Sequence, residues 1–83
     1  MINIKIFASL RERLQEDELT LPFENEISIE DFVLSLGQLK GDLWLATLTK
    51  GEVLTAVNQT IVDRTHLLKD GDELAFFPPV TGG

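Results

Sequence analysis

The 83-residue chain contains no cysteine. Disulfide staples, thiolate metal sites and chemistry on a cysteine sulfur are thereby excluded. Histidine occurs once, at His66. A transition-metal site would have to rely on carboxylates, a donor set poorly suited to zinc, so His66 reads as a surface or packing residue. Basic residues are few, seven against fourteen acidic ones, for a net charge of −7. Such a chain repels phosphate backbones and carries no basic stripe, which argues against nucleic acid as a partner. Long apolar runs are missing too. Ile2 to Leu10 includes Lys5 and alternates polar with apolar residues, so neither a signal peptide nor a membrane span is expected. The expected compartment is the cytoplasm.

Motifs for chemistry in the body are equally scarce. There is no phosphate-cradling glycine loop and no nucleophile–base pair. Asp70 to Glu73, DGDE, lacks the other positions of a twelve-residue calcium loop and reads as a turn. Asn58-Gln59-Thr60 matches a glycosylation acceptor, but without a secretory signal it would not meet that machinery.

What is present suits one small globular domain: 43% hydrophobic and 25% charged residues allow a core that a disordered chain could not build. INIKIFA, Ile2 to Ala8, puts Ile2, Ile4 and Ile6 on one face of a strand and Asn3, Lys5 and Phe7 on the other. Ser9 with Glu12 three residues on predicts a capping box opening a short helix through Leu10 and Leu14. Glu18 to Glu24 reads as a second strand, returning beside the first, with Leu19, Leu21 and Phe23 on one face. Pro22 places that strand at a sheet edge or cuts it short. Ser28 and Asp31 then cap the clearest helix, with Ile27 poised to staple onto Phe32, and Ile29, Phe32, Val33, Leu36 and Leu39 recur at helical spacing. Gly37 and Gly41 weaken its end. Leu43, Trp44, Leu45 and Leu48 predict a further helical segment closed by Lys50-Gly51. Strands are expected at Glu52 to Asn58, Thr60 to Val62 and, after a turn at Asp70-Gly71, Glu73 to Phe77. The order predicts an α+β roll of the β-grasp kind: a mixed four- to five-stranded sheet with one main helix on one face.

The ending AFFPPVTGG is unusual, because termini are ordinarily polar and frayed. Adjacent strand residues face opposite ways, so Phe76 joins Leu74 toward the helix while Phe77, like Phe7, falls on the open face. Two aromatics there, beside the segment leading to the end of the chain, mark a partner surface. Pro78 and Pro79 stop the strand and stiffen the backbone beyond it. Residues 78–83 span roughly 20 Å at about 3.3 Å each. Gly82 and Gly83 have no Cβ and fit a narrow channel. The division expected is a β-grasp domain over 1–77 and an extended tail over 78–83 that carries a carboxylate at its tip.

AVNQT at Ala56 to Thr60, LKDGDELAFFPPVTGG from Leu68 to the end and the opening INIKIFASLRERL together resemble the sulfur-carrier subunits of molybdopterin synthase, a ubiquitin-like β-grasp family. Gly-Gly alone is a weak motif, shared with ubiquitin and its relatives; DGDE-x-A-F-F-P-P-V-x-G-G is far more specific. The resemblance implies that an ATP-dependent adenylating enzyme activates the Gly83 carboxyl as an acyl-adenylate. A sulfur donor then displaces AMP to leave a thiocarboxylate. The tail would enter the large subunit and give its sulfur to cyclic pyranopterin monophosphate. Gly83 is the implied chemical site and Gly82 gives clearance. Phe7, Ile61, Phe77, Pro78, Pro79, Val80 and Thr81 are the expected partner-binding residues. No cofactor is expected on this chain, ATP being used by the activating partner. The rival readings are a thiamine-pathway sulfur carrier, which the FFPPVTGG ending disfavours, a ubiquitin-like modifier of lysines, and a small adaptor with an inert tail.

Overall fold

A computed structural model describes Met1–Pro79. The elements run β1 (Ile2–Ile6), α1 (Ala8–Leu14), β2 (Glu18–Leu21), β3 (Ile27–Ser28), α2 (Ile29–Lys40), α3 (Asp42–Leu48), β4 (Leu54–Val57), β5 (Thr60–Val62), β6 (Leu67–Leu68) and β7 (Glu73–Phe77). Five strands form one sheet in the order β2-β1-β7-β4-β5, and β3 pairs with β6 in a separate two-stranded ladder. β1 and β7 are parallel and the other neighbours antiparallel. This is the mixed β-grasp roll expected from the sequence, with the last strand at its centre.

One face of the sheet is covered. Ile2, Ile4, Ile6, Leu74 and Phe76 are at most 1% exposed and pack with Ile29, Phe32, Val33 and Leu36 of α2. All six residues expected to share the core, Ile4, Ile6, Phe32, Leu36, Leu74 and Phe76, do so. α2 begins where its cap predicts: the Asp31 amide donates to Ser28 Oγ at 3.1 Å, and Glu30 and Asp31 place negative charge at the positive end of the helix dipole. Gly37 lies inside this helix rather than ending it. A Cβ there would stand 2.8 Å from Leu45 Cβ, so the missing side chain is what lets α2 and α3 touch. The break comes at Gly41, whose φ of 108° no β-carbon residue adopts comfortably. Leu39, part of the expected apolar stripe, is 62% exposed. It sits on the last turn of α2, at the mouth of a groove with Phe23, Ile27 and Phe32 and outside the core.

Local reasons account for the other departures. The capping box at Ser9 does not form. The helix opens two residues earlier, and the Phe7 carbonyl receives the Leu10 and Arg11 amides while Phe7, the capping position, supplies no side-chain bond. β2 stops at Leu21, directly before Pro22, on the sheet edge. β4 covers only Leu54–Val57 of the expected strand, because Asn58 and Gln59, at φ 50° and 70°, make the two-residue turn into β5. The β3–β6 ladder has no counterpart in the sequence pattern; two residues per strand are too few for alternation to register.

Candidate functional site

The register assembles the open face row by row. Glu18, Lys5, Ala75, Ala56 and Ile61 are successive partners across β2, β1, β7, β4 and β5. In the next row Phe77 faces Leu54. Phe7, with extended backbone, follows Ile6, and its amide donates to the Phe76 carbonyl, which sets it beside Phe77. Alternation thus brings Phe7 and Phe77 to one face, as expected, and the register adds Ile61 to it. Phe7 is 44% and Ile61 61% exposed. Phe77 differs from expectation: it is half-buried rather than open to solvent, with Leu54 opposite it and Phe7 on its other side. Ala56 and Ala75 lie between the larger side chains and are buried, although no helix covers them. The result is an apolar patch with a small-residue floor. Lys5 and Glu73 pair at 3.5 Å along its margin.

Residues that the sequence does not single out complete the surface. Leu54 and Ala56 belong to it by the same period-two rule that placed Phe77, once β4 is known to run beside β7. Asn58 stands out in the sequence only as part of a glycosylation-like motif, yet it anchors the start of β7. Its amide nitrogen donates to Asp72 Oδ1 at 2.9 Å, its Oδ1 accepts the Glu73 amide at 3.0 Å, and its own amide donates to the Glu73 carbonyl. Asp72 Oδ2 in turn accepts the Lys69 amide at 2.8 Å. The DGDE stretch is therefore a turn, tied to the β4–β5 hairpin so that the strand leading to the tail begins from a fixed point. Gly71 supplies the left-handed φ of 92° that the turn requires.

Pro78 and Pro79 leave β7 half-buried, in a groove lined by Ser9, Arg13, Thr47 and Lys50. Val80, Thr81, Gly82 and Gly83 lie outside the described residues. Near β5, Asp63 accepts from both the hydroxyl and the amide of Thr65, which lowers its carboxyl from the ordinary value, the hydroxyl bond contributing most. Burial lowers the Arg64 guanidinium from its ordinary value, opposed by nearby Glu30. His66 is exposed, and its carbonyl accepts the Ile29 amide. Among the described residues no three His, Asp or Glu side chains cluster as metal ligands, and no helix is long and apolar enough to cross a membrane.

The ThiS family profile matches residues 4–83. Over all 83 residues, and the whole of the relative, the chain is 42% identical to the molybdopterin synthase sulfur carrier subunit of Haemophilus influenzae. It is 41% identical to the Escherichia coli protein of the same name, again with both chains fully covered. The solution structure of small archaeal modifier protein 1 from Methanosarcina acetivorans superposes with a TM-score of 0.72 at 30% identity, covering 99% of this chain and 95% of that one. Subunits 1 and 2 of the molybdopterin-converting factor from Helicobacter pylori form a solved complex; the matching chain gives a TM-score of 0.63 at 22% identity, with 99% and 97% covered. Fold, register and whole-length similarity agree: the chain belongs to the ThiS family and is similar throughout to the sulfur carrier subunits of molybdopterin synthase.

Proposed function

We propose that the chain is the sulfur carrier of molybdopterin synthase, a non-catalytic subunit that delivers sulfur as a thiocarboxylate on Gly83. The observation that carries this reading is whole-length similarity to two molybdopterin synthase sulfur carrier subunits in a chain whose final strand runs straight into Pro78 and Pro79. A carboxylate is a poor electrophile. In the adenylating partner the Gly83 carboxylate oxygen attacks the α-phosphorus of ATP and pyrophosphate leaves. Hydrosulfide supplied by the donor then attacks the acyl carbon, the acyl–phosphate bond breaks, AMP departs, and the thiocarboxylate remains on Gly83. Cyclic pyranopterin monophosphate in the large subunit receives the sulfur, and two deliveries supply the two dithiolene sulfurs. The absence of cysteine supports the reading, since no thiol on this chain competes for the cargo. These steps belong to the cytoplasm, where ATP is available.

Docking falls to the open face. Phe7, Ile61 and Phe77 present apolar area beside the tail root, and the large subunit covers them when Val80, Thr81, Gly82 and Gly83 enter its channel. The similarity to an archaeal modifier protein gives the lysine-modifier reading its one specific support; attachment of this chain to many cellular proteins would favour it.

The test is the intact mass of the chain taken from cells that make the cofactor. One oxygen-to-sulfur exchange localised to Gly83 is expected. Deleting Gly83, or adding one residue after it, displaces the reactive atom by about 3.3 Å and should abolish cofactor synthesis with the fold and large-subunit binding retained. Gly82→Val should instead fail at tail insertion or adenylation, because a branched side chain obstructs the channel. Full activity without Gly83 would overturn the proposal.

A further inference from the structure

The groove at the tail root contains a charged side chain that is already oriented. Arg13 Nε donates to Thr47 Oγ1 at 2.9 Å. Thr47 is fully buried, so its hydroxyl is a fixed anchor on α3. That bond uses one of the five guanidinium donors and, among the described residues, leaves the Nη fork without a carboxylate partner. The ion pairs among the described residues employ Lys5, Lys40 and the Met1 amine; Arg13 and Lys50 take part in none. Glu12 and Glu52 also line the groove, yet neither forms an ion pair with Arg13. Arg13 is thus held in place by a neutral residue, with its charge unspent.

Its position gives that charge a use. Pro78 and Pro79 line the same groove and have no amide hydrogens. Whatever admits the chain beyond Pro79 must close around this root, and the side-chain cations it meets there are Arg13 and Lys50. A planar guanidinium fork matches a carboxylate geometrically, and one whose rotamer is already restrained loses less entropy on pairing. We infer that Arg13, oriented by Thr47, is a docking residue that pairs with a carboxylate on the rim of the channel receiving the tail. The inference rests on the sulfur-carrier reading and adds a polar contact to the apolar open face.

The measurement is calorimetric titration with the purified large subunit of molybdopterin synthase, at low and high salt, with melting temperatures recorded in parallel. Arg13→Gln should weaken binding roughly threefold to tenfold and flatten its salt dependence; Arg13→Glu should weaken it by more than about tenfold. Arg13→Lys, which keeps charge without the fork, should fall between wild type and Arg13→Gln. Thr47→Val should also weaken binding while leaving the charge in place. Unchanged affinity in Arg13→Glu overturns the inference. So does a lowered melting temperature with unchanged affinity in Arg13→Gln, because Arg13 would then serve only the Thr47 hydroxyl. If the unsubstituted chain does not bind, the sulfur-carrier reading fails and takes the inference with it.

Discussion

Phe76 and Phe77 are consecutive residues of one strand with opposite surroundings. Phe76 is fully buried beneath α2, whereas Phe77 lies half-buried on a face that no helix covers. The contrast extends across the sheet. Ile4, Leu74 and Val57 form a row sealed from water, while one residue along, Lys5, Ala75, Ala56 and Ile61 form a row that ends at an exposed isoleucine. The period of two thus divides the strands between two tasks: one face holds the molecule together, and the other is available for a partner. A one-residue slip would exchange them.

The strongest way to break the contrast is Phe76→Ala, which should cost about 3–5 kcal/mol in denaturant unfolding. A change much smaller than this would show that the covered face does not carry the stability. The helix layer is tested next by Gly37→Val. The added atoms meet Leu45 and should cost about 1–3 kcal/mol by forcing α2 from α3. On the open face the balance reverses. Phe77→Ala should lower stability by only about 1 kcal/mol, as expected for a half-buried ring, yet weaken large-subunit binding by at least that much. Ile61→Ser should leave the melting temperature nearly unchanged and weaken the same titration. A large thermal loss with intact binding in either variant would erase the distinction between the faces.

The smallest effect concerns acid. Asp63 has a folded-state pKa below its unfolded one, so its contribution is fully present above the unfolded value. It disappears as pH falls through the lower, folded value. Asp63→Asn should therefore be slightly less stable than the unsubstituted chain near neutrality, and the difference should vanish as pH falls through the folded-state value in a pH series of denaturant unfolding.

Most of this division is legible in the sequence because alternation in Ile2–Ile6 and Glu73–Phe77 is uninterrupted, and because Ser28 and Asp31 specify a helix start without help from elsewhere. Other features depend on contacts that sequence spacing does not encode. Leu39 continues the helical repeat, but the core does not extend beneath its turn. Ser9 has a suitable capping partner in Glu12, yet the chain enters α1 directly from β1 and Ala8 takes the first helical position. Strand parity assigns Phe77 to its face, but its partial burial depends on Leu54, a residue 23 positions away. Thr47 has the sequence surroundings of an ordinary helix residue. Its importance emerges only once Arg13, 34 residues earlier, is seen to bond its buried hydroxyl. The tip of the tail is read from composition and motif alone.

The central place of β7 has a mechanical consequence. A terminal strand at a sheet edge can be peeled away one hydrogen bond at a time. β7 is flanked on both sides, parallel to β1 and antiparallel to β4. Tension applied through Pro78 along the strand therefore loads both ladders in shear, and their bonds must yield together. On the sulfur-carrier reading proposed above, a tail gripped in a partner's channel would be pulled free of that channel without unravelling the domain that carries it.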